Sequence, residues 1–419
     1  MTTRRTVLRL AGAVPAAALL TACRETPQRR PATGPADLLL AQTSTGLTLI
    51  DARGGAVAMP PRRGALATDG SAIAWARPGG AGTRLEVWRE AGSPAYAVTL
   101  LGQLTPRVVA PSGAWVALTT GSAEGGTPYR PTGRDATTVV IADNTGELRR
   151  LTLPGCVEPE AFSAEGERLF VLDYLPPRQP DRYRVRMIDL ATGTLNPLLA
   201  RDKTVVPAGA EEEMRGEGRQ AVFASASQLR FTLYTHQPDH EHTRNLISGR
   251  PGNPDVHAFV HTLSTQIGFA YCIDLPAPFG LSPAAAHAIA LWRGDPYVVD
   301  TRSGTIARLD GEKLTVAALG QCAADPSGGP AGAAVAPSGT VLYVGAGPAV
   351  RLIDTDTLKT TATWTLASAV RGVGLSRDGQ RLWVGHDTGI TALDATTGQP
   401  VASVAAPGLT ELVHVATPA

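Results

Sequence analysis

The C-terminal part of the chain repeats itself after about forty residues. The matching segments are Pro337-Ser338-Gly339, Leu342-Tyr343-Val344-Gly345 and Ile353-Asp354 against Arg377-Asp378-Gly379, Leu382-Trp383-Val384-Gly385 and Leu393-Asp394. A period of about 40 to 45 residues, with short apolar runs between turn residues, is typical of a unit of four antiparallel strands. The repeat restricts the architecture strongly, because such a unit buries its apolar faces only by stacking on its neighbours.

The composition supports an all-β fold. The 419 residues include 45 Gly and 33 Pro, and 43% of them are hydrophobic, which is enough for a large core. Gly or Pro interrupts nearly every apolar stretch, so turns recur about every eight to twelve residues and helical windows are almost absent. The sequence therefore predicts a β-propeller built from four-stranded antiparallel blades.

The predicted blades can be counted along the chain. Seven complete blades are predicted, at 64–101, 106–153, 158–199, 215–276, 285–319, 331–366 and 369–405. Strands at 38–42, 47–51 and 56–59 lack an inner partner, and a strand at 410–416 lacks a sheet. Pairing of the two chain ends would complete one more blade and remove the open edges. We expect eight blades; seven, the commoner size, is the alternative.

Several acidic residues recur at the end of a predicted strand, with a glycine four positions later. The pairs are Asp51 and Gly55, Asp189 and Gly193, and Asp394 and Gly398. An Asp side chain at such a position caps the backbone amides of the turn that follows. These acids are therefore predicted to be structural.

Residues 1–22 have the composition of an export signal. They contain Arg4, Arg5 and Arg9 and no acidic residue, and an apolar run extends over 10–20. A basic start followed by a short apolar run and small residues is typical of a secretory signal. The segment 3–9 resembles the twin-arginine signal, with Val7 where that pattern has Phe. The resemblance implies export of a folded chain.

The segment Leu20-Thr21-Ala22-Cys23 resembles a bacterial lipobox. The resemblance implies that Cys23 receives a diacylglyceryl group and becomes the mature N-terminus; an ordinary signal with an incidental cysteine is the alternative. The apolar run is shorter than the ~20 residues of a spanning helix, whereas two acyl chains anchor a protein stably. We expect a mature chain bound to membrane lipid through Cys23 on the extracytoplasmic face of the cell membrane. Residues 23–36 would be a flexible tether and 37–419 a single propeller domain.

The repeats resemble those of the extracytoplasmic propellers named after a tyrosine-valine-threonine-asparagine (YVTN) motif. The motif is present in degenerate form as Leu342-Tyr343-Val344-Gly345 and Leu382-Trp383-Val384-Gly385. The resemblance is strongest over 285–405 and weak before 215. It implies an architecture only, because the roles of that family are diverse and a function must come from the loops.

The charge balance excludes nucleic acid as a partner. Without residues 1–22, the chain carries 35 Lys and Arg against 37 Asp and Glu, so it lacks the basic character that phosphate backbones require. The phosphate-binding loop and the Gly-x-Ser-x-Gly nucleophile motif are also absent from the sequence.

Three long insertions interrupt successive blades, at 121–137, 176–183 and 236–256. In a propeller the connections between second and third strands lie on one face, so we expect these insertions to converge. Their basic side chains form a candidate ligand-binding set for a carboxylate or a sugar acid. This set is Arg134, Arg178, Arg182 and His236.

Six of the eight histidines fall between 236 and 287. His240 and His242 flank Glu241, and even spacing would place His257 and His261 on one side of a strand. Imidazole and carboxylate groups together suit a transition metal such as Zn or Cu. The four histidines are therefore candidate metal ligands. The alternatives are a solvated loop and hydrogen bonds between neighbouring blades.

Two other features are predicted to carry no function. The acidic run Glu211-Glu212-Glu213 is explained by solvation, and Cys272 lies in an apolar segment where a free cysteine is commonly a small core residue. With Cys23 lipidated, an odd number of cysteines remains, so at least one of Cys156, Cys272 and Cys322 does not pair within the chain.

Two classes of function fit these observations. The first is a lipid-anchored module that binds a protein or small-molecule ligand on the loop face. The alternative is an enzyme, either metal-dependent or of the lactonase or lyase kind, that uses the histidine-rich loop of the middle blades. The sequence alone leaves ligand and reaction open.

Overall fold

The computed structural model describes residues 37–53, 56–89, 94–120, 131–215, 219–237 and 239–416. Within these residues the chain is almost entirely strands and tight turns, with one α-helix, α1 (Thr243–Ser248), and two short 3₁₀ turns at Pro111–Gly113 and Ala284–Ala286. The described helices are too short and too polar to span a lipid bilayer. The predicted export signal and lipid anchor, with Arg4, Arg5 and Cys23, lie outside the described residues.

The first strands of the chain and its last strand form one antiparallel sheet, in the order β31-β1-β2-β3-β4-β5-β6. The strands are β1 (Leu38–Thr43), β2 (Gly46–Asp51), β3 (Ala56–Leu66), β4 (Ala72–Gly79), β5 (Gly82–Arg89), β6 (Pro94–Leu101) and β31 (Leu409–Ala416). Strand β3 pairs with β2 through its first half and with β4 through its second half. The sheet therefore consists of two four-stranded units that share β3.

Three separate four-stranded antiparallel sheets follow in chain order. They contain β7 (Leu104–Val109), β8 (Val116–Thr120), β9 (Ala136–Asp143) and β10 (Gly146–Pro154); β11 (Cys156–Phe162), β12 (Arg168–Leu175), β13 (Arg182–Asp189) and β14 (Leu195–Pro197); and β15 (Arg219–Ala224), β16 (Leu229–Tyr234), β17 (Ala258–Ser264) and β18 (Ala270–Leu275). Each sheet is an up-and-down meander, as the repeat predicts.

The C-terminal third contains three more units of the same kind. Their strands are β19 (His287–Trp292), β20 (Asp295–Asp300), β21 (Thr305–Asp310) and β22 (Thr315–Gln321); β23 (Ala331–Val335), β24 (Val341–Ala346), β25 (Ala349–Asp354) and β26 (Lys359–Thr365); and β27 (Val373–Leu375), β28 (Arg381–His386), β29 (Gly389–Asp394) and β30 (Pro400–Ala405). A single parallel pair, Gln321 with Lys359, joins β22 to β26, so these two units are only lightly connected through their outer strands.

The core lies between successive units. Leu85 and Val87 of β5, for example, belong to one buried cluster with Val116 of β8 and Val140 of β9. Outer strands are exposed by comparison: β26 has six exposed residues out of seven. Apolar faces are thus buried against neighbouring sheets, which is the packing expected of a stacked repeat.

The turns that define the repeat have the predicted chemistry. Gly339 has a φ of +79°, and a Cβ atom at this position would lie 2.1 Å from the ring of Trp292, so both the conformation and the space require glycine. The carboxylate of Asp394 accepts hydrogen bonds from the amides of Thr396 and Thr397, at 3.0 and 2.8 Å. Asp189 caps its own turn in the same way. The prediction that these acids are structural is confirmed.

A buried carboxylate ties the first described residues to a distant strand. Asp37 accepts hydrogen bonds from Nε of Arg381, at 2.9 Å, and from the indole nitrogen of Trp383, at 2.8 Å, while its side chain is only 1% exposed. Both partners lie on β28, more than 340 positions along the chain.

We predict that replacing Asp37 by Ala lowers the free energy of unfolding by about 2 to 4 kcal/mol, because Arg381 and Trp383 lose a buried charged acceptor. Urea unfolding followed by circular dichroism measures the change. The matched control is Asp135→Ala, since Asp135 pairs with Arg178 on the surface, with the two side chains 65% and 79% exposed. This control should leave stability nearly unchanged. Equal effects of the two substitutions would contradict the importance of the buried pair.

His287 is completely buried. Its Nε2 accepts a hydrogen bond from the amide of Gly280, at 3.1 Å, so the proton is on Nδ1, which donates to the carbonyl oxygen of Pro283 at 3.1 Å. Burial lowers the pKa of this imidazole below its usual value. The histidine-rich segment thus includes at least one histidine with a structural role.

We predict that His287 makes the protein sensitive to acid. Because its pKa is lower in the folded state, the unfolded state binds more protons below about pH 6.5, and the free energy of unfolding falls as the pH decreases. Above that pH the contribution is constant. The slope between about pH 7 and pH 5 should be steeper than in a His287→Gln variant, by up to about 1.4 kcal/mol per pH unit. Parallel slopes in both proteins would show that this imidazole does not contribute.

Candidate metal centre

The first two of the three long connections contact each other directly. The amide of Arg134 donates to the carbonyl oxygen of Pro177, at 2.8 Å, which joins the first connection to the second. Tyr183 and Met214 exchange two backbone hydrogen bonds, of 3.0 and 2.8 Å, and this pairing holds the end of the acidic run beside the start of β13. Residues 121–130 of the first connection lie outside the described residues.

Two of the candidate ligand-binding arginines are paired within the chain. The Arg134 guanidinium lies 2.7 Å from Oε1 of Glu158 and is largely buried. The Arg178 guanidinium forms a bidentate ion pair with the Asp135 carboxylate, with N–O distances of 2.5 and 2.7 Å, and both groups are exposed. Protein carboxylates already balance both charges.

The other two members of that set are also engaged. Arg182 contacts Asp181 at 2.9 Å and Glu213 at 2.7 Å. His236 is half-buried, and its Nδ1 lies 3.0 Å from the hydroxyl of Thr235. The four residues therefore do not present a shared, unpaired group of positive charges.

One oxygen of Glu212 collects three hydrogen-bond donors. Oε1 lies 2.7 Å from Nε2 of His240, 2.8 Å from Nδ1 of His242 and 2.9 Å from Sγ of Cys272. The three donors are almost completely buried, with at most 8% of each residue exposed. A carboxylate oxygen, two imidazoles and a thiol thus lie around one point; we name these four residues the Glu212 cluster.

The cluster is assembled from three parts of the fold. Glu212 lies two residues before Met214, which pairs with Tyr183 of β13. Both histidines lie in the extended chain before α1, and Cys272 lies on β18. Phe259 of β17 supports the histidines: its ring stacks on His240 at 4.5 Å and meets His242 edge-on at 5.0 Å. This apolar wall orients both imidazoles and restricts access of water.

A second carboxylate holds His242 from its other side. Nε2 of His242 lies 2.6 Å from Oδ1 of Asp274, and Arg244 donates to Oδ2 of the same carboxylate at 2.6 Å. Arg244 also donates to the carbonyl oxygen of Cys272, at 2.9 Å. Such a carboxylate behind an imidazole fixes the orientation of the ring, as is usual for histidines that bind metals.

The electrostatics of the cluster follow from its burial and its pairings. Burial alone would raise the pKa of Glu212, but the hydrogen bonds and charges of His240 and His242 outweigh it and hold that pKa well below its usual value. Burial lowers the pKa of His242, but the carboxylates of Asp274 and Glu212 raise it by more, so that this pKa rises to about 9. Burial, together with the Glu212 charge, raises the pKa of the Cys272 thiol well above its usual value. Glu212, His242, Asp274 and Arg244 thus form a row of alternating negative and positive groups.

The remaining candidate histidines are placed differently. His261 pairs across the sheet with Cys272 and is buried beside the cluster, where burial lowers its pKa to about 4 and keeps it neutral. His257 precedes the first residue of β17, is half-buried, and accepts a hydrogen bond from the amide of Gln237 through its carbonyl oxygen. The structure thus brings His240 and His242 together and places His261 nearby, while no contact joins the His257 side chain to the cluster among the described residues.

Two members of the cluster were not expected from the sequence to have a function. The acidic run was interpreted as solvated, but Glu212 is nearly buried, Glu211 pairs with Arg186 at 2.8 Å, and Glu213 pairs with Arg182. That interpretation is wrong, because each carboxylate meets a partner from another segment. Cys272 is a free cysteine in a hydrophobic core cluster, as expected, and its Sγ in addition lies 2.9 Å from Oε1 of Glu212. Their linear spacing gives no signal, since 60 positions separate the two residues.

The donor set is suited to a metal ion. Ligand atoms from Glu212, His242 and Cys272 lie within 4.8 Å of one another. Tetrahedral zinc, with bonds of about 2.0 to 2.3 Å, separates its ligand atoms by roughly 3.4 Å, which falls inside that span. Cys156, Cys272 and Cys322 are all free thiols, so no disulfide removes Cys272 from such a role. The described residues therefore contain a candidate metal centre.

No protein-family model matches the chain, and no curated protein matches its sequence. Solved structures do match its fold. Apo AztD from Citrobacter koseri is similar with a TM-score of 0.51 and 11% identity, over 91% of this chain and 97% of that one. The dihydro-heme d1 dehydrogenase NirN in complex with DHE is similar with a TM-score of 0.52 and 12% identity, over 93% of this chain and 77% of that one. These proteins are β-propellers, and at such identities the likeness shows that this chain has the β-propeller fold.

Proposed function

We propose that this chain is an exported, lipid-anchored β-propeller of eight blades that binds a transition metal ion, preferably zinc, at the Glu212 cluster. The observation that carries the proposal is the convergence of two imidazoles and a thiol on one carboxylate oxygen, at 2.7 to 2.9 Å. It is a binding function, located where the long connection 236–256 contacts the acidic run and β18. Nucleic acid is not a partner, because the charge balance is near neutral.

The arrangement of sheets supports eight blades in a closed ring. Eight units of four strands can be traced when β3 is shared, and one of them combines β31 with β1 and β2. Eight hydrophobic clusters lie between units that follow one another. One cluster packs Leu39 and Ile50 of the chain-end unit against Trp383 and Ile390, which is the contact a closed ring requires.

The chemistry of the donors supports zinc over other metals. Thiolate, imidazole and carboxylate are the three ligand types that zinc accepts, and Glu212, His242 and Cys272 would supply one of each and leave the fourth tetrahedral position open. The carboxylate disfavours copper(I), which prefers soft sulfur ligands, and the thiol disfavours magnesium and calcium. Asp274 behind His242 provides the supporting contact that metal-bound imidazoles normally have.

The N-terminal sequence supports export and anchoring. Residues 1–22 combine paired arginines with a short apolar run, and Cys23 follows Leu20-Thr21-Ala22. A diacylated Cys23 at the end of the 23–36 tether would hold the propeller at the membrane surface, since two acyl chains anchor a globular domain stably. The degenerate YVTN-like repeats agree with an extracytoplasmic propeller.

We predict that the purified protein, stripped with a chelator and then loaded, binds one zinc ion per chain. Glu212→Gln and Cys272→Ser should each weaken zinc binding by more than about tenfold, because each removes an anionic ligand. Elemental analysis gives the stoichiometry, and competition with a chromophoric chelator gives the affinity.

The matched control for zinc binding is His257→Gln. This histidine lies in the same segment of the chain but outside the Glu212 cluster, so its replacement should leave the affinity unchanged. A wild-type protein that takes up no zinc, or variants that bind it as tightly as wild type, would refute the metal proposal. Thermal unfolding of each variant shows whether the fold is intact.

We also predict that Cys23→Ala releases the protein from the membrane of a bacterium that exports it. The wild-type chain should partition into the membrane fraction and carry a lipid mass on its first mature residue, as mass spectrometry would show. Cys322→Ala removes a thiol of the propeller and should not change partitioning. Equal membrane association of the Cys23→Ala variant would overturn the lipid anchor and leave the zinc proposal standing.

A further inference from the structure

A cleft of about 590 Å³ opens directly beside the Glu212 cluster. Its walls are the segment 200–204, helix α1 and the start of β18, and Glu212, His242 and Cys272 lie in its lining. The volume falls within the range of sites for small molecules, which is about 300 to 1,000 Å³. Three of the four members of the Glu212 cluster therefore lie at the inner wall of this cleft.

Two arginines flank one aromatic ring in the cleft. The guanidinium carbon of Arg201 lies 4.5 Å from the centre of the Tyr271 ring, and that of Arg244 lies 5.3 Å from it. Both side chains are held by backbone carbonyls as well: Arg201 donates to Lys313 and Arg244 to Cys272, each at 2.9 Å. Both positive groups thus have defined positions.

The charges of the two arginines are balanced differently. Arg244 pairs with Asp274 at 2.6 Å, whereas Arg201 has no carboxylate partner in the part of the chain that the structure describes. Asp202 lies in the cleft, but its carboxylate caps its own turn through the amide and hydroxyl of Thr204, at 3.1 and 2.7 Å. A positive charge at Arg201 is therefore available to a ligand.

An apolar surface borders this charge. Ile247 of α1 lines the cleft with 47% of its surface exposed, and Val205, beside the lining residue Thr204, is 73% exposed. Together with the Tyr271 ring, Ile247 gives the cleft an apolar area next to a cation and next to candidate metal ligands. A molecule that fits all three features carries an oxyanion on a small apolar body.

We propose that this cleft binds a small organic oxyanion, a carboxylate or a phosphoryl compound, whose charged group bridges Arg201 and the metal ion while its apolar part packs on Tyr271 and Ile247. The proposal rests on the metal-binding function proposed above. In this arrangement the metal ion at the Glu212 cluster binds an external ligand as well as the protein side chains.

The test uses isothermal titration calorimetry with benzoate, phenylphosphonate and neutral benzyl alcohol, on zinc-loaded and on metal-free protein. We expect one molecule of benzoate or of phenylphosphonate to bind per zinc-loaded chain, at least tenfold more tightly than benzyl alcohol and more tightly than to the metal-free protein. The tighter of the two anions identifies the chemical class, carboxylate or phosphoryl.

Two arginine variants make the test specific. Arg201→Gln should weaken anion binding at least tenfold while zinc content stays at the wild-type level. Arg302→Gln is the matched control, because Arg302 is also exposed and also donates to a backbone carbonyl, that of Pro326, but lies outside the cleft. It should bind the anions as wild type does.

The outcomes separate this proposal from the metal proposal. Full zinc content without anion binding, or anion binding unchanged in Arg201→Gln, overturns the oxyanion site and leaves the metal site intact. Failure to bind zinc refutes the metal site; equal anion affinity with and without zinc overturns the bridging of metal and ligand. Wild-type thermal stability of Arg201→Gln confirms that a loss of binding is local.

Discussion

The structure depends on the burial of apolar sheet faces between neighbouring four-stranded units. A single antiparallel meander of this size cannot bury both of its faces, so each unit packs against the next through alternating aliphatic side chains. The unit that combines β31 with β1 and β2 continues the same packing through Leu39, Ile50 and Trp383. The buried pair between Asp37 and β28 adds a polar contact at this junction. The unit in which β1 pairs with β31 is thus held by the same forces as the other units.

The Glu212 cluster is a buried polar site within this apolar framework. A carboxylate, two imidazoles and a thiol are costly to bury unless they satisfy one another, and here each finds a partner within hydrogen-bonding distance. Phe259 and the neighbouring strands exclude water from one side, while a cleft opens on another. This combination of an apolar wall, a supporting carboxylate at Asp274 and solvent access is the arrangement of a binding centre.

Much of the fold follows from the sequence because its signals are local. The turn glycines, the capping aspartates and the short alternating strands are each determined by neighbours in the chain, and the repeat multiplies the signal. His240 and His242 could be selected as site residues for the same reason, since both lie in one short segment. Glu212 and Cys272 could not, because the first resembles a solvated acidic run and the second a core cysteine until the strands bring them together. His257 shows the reverse case. Its spacing from His261 predicts a position within a strand, but β17 begins one residue later, at Ala258.

The sequence by itself determined an all-β repeat with structural acids in its turns, because hydrophobic period and turn chemistry act over a few residues. The tertiary structure decided which charged groups are paired and which converge. Arg134, Arg178 and Arg182 were equivalent candidates by composition, yet each meets a carboxylate from another position. Burial and contact distance, which set the strength of every electrostatic interaction, arise only when segments far apart in the chain are packed together.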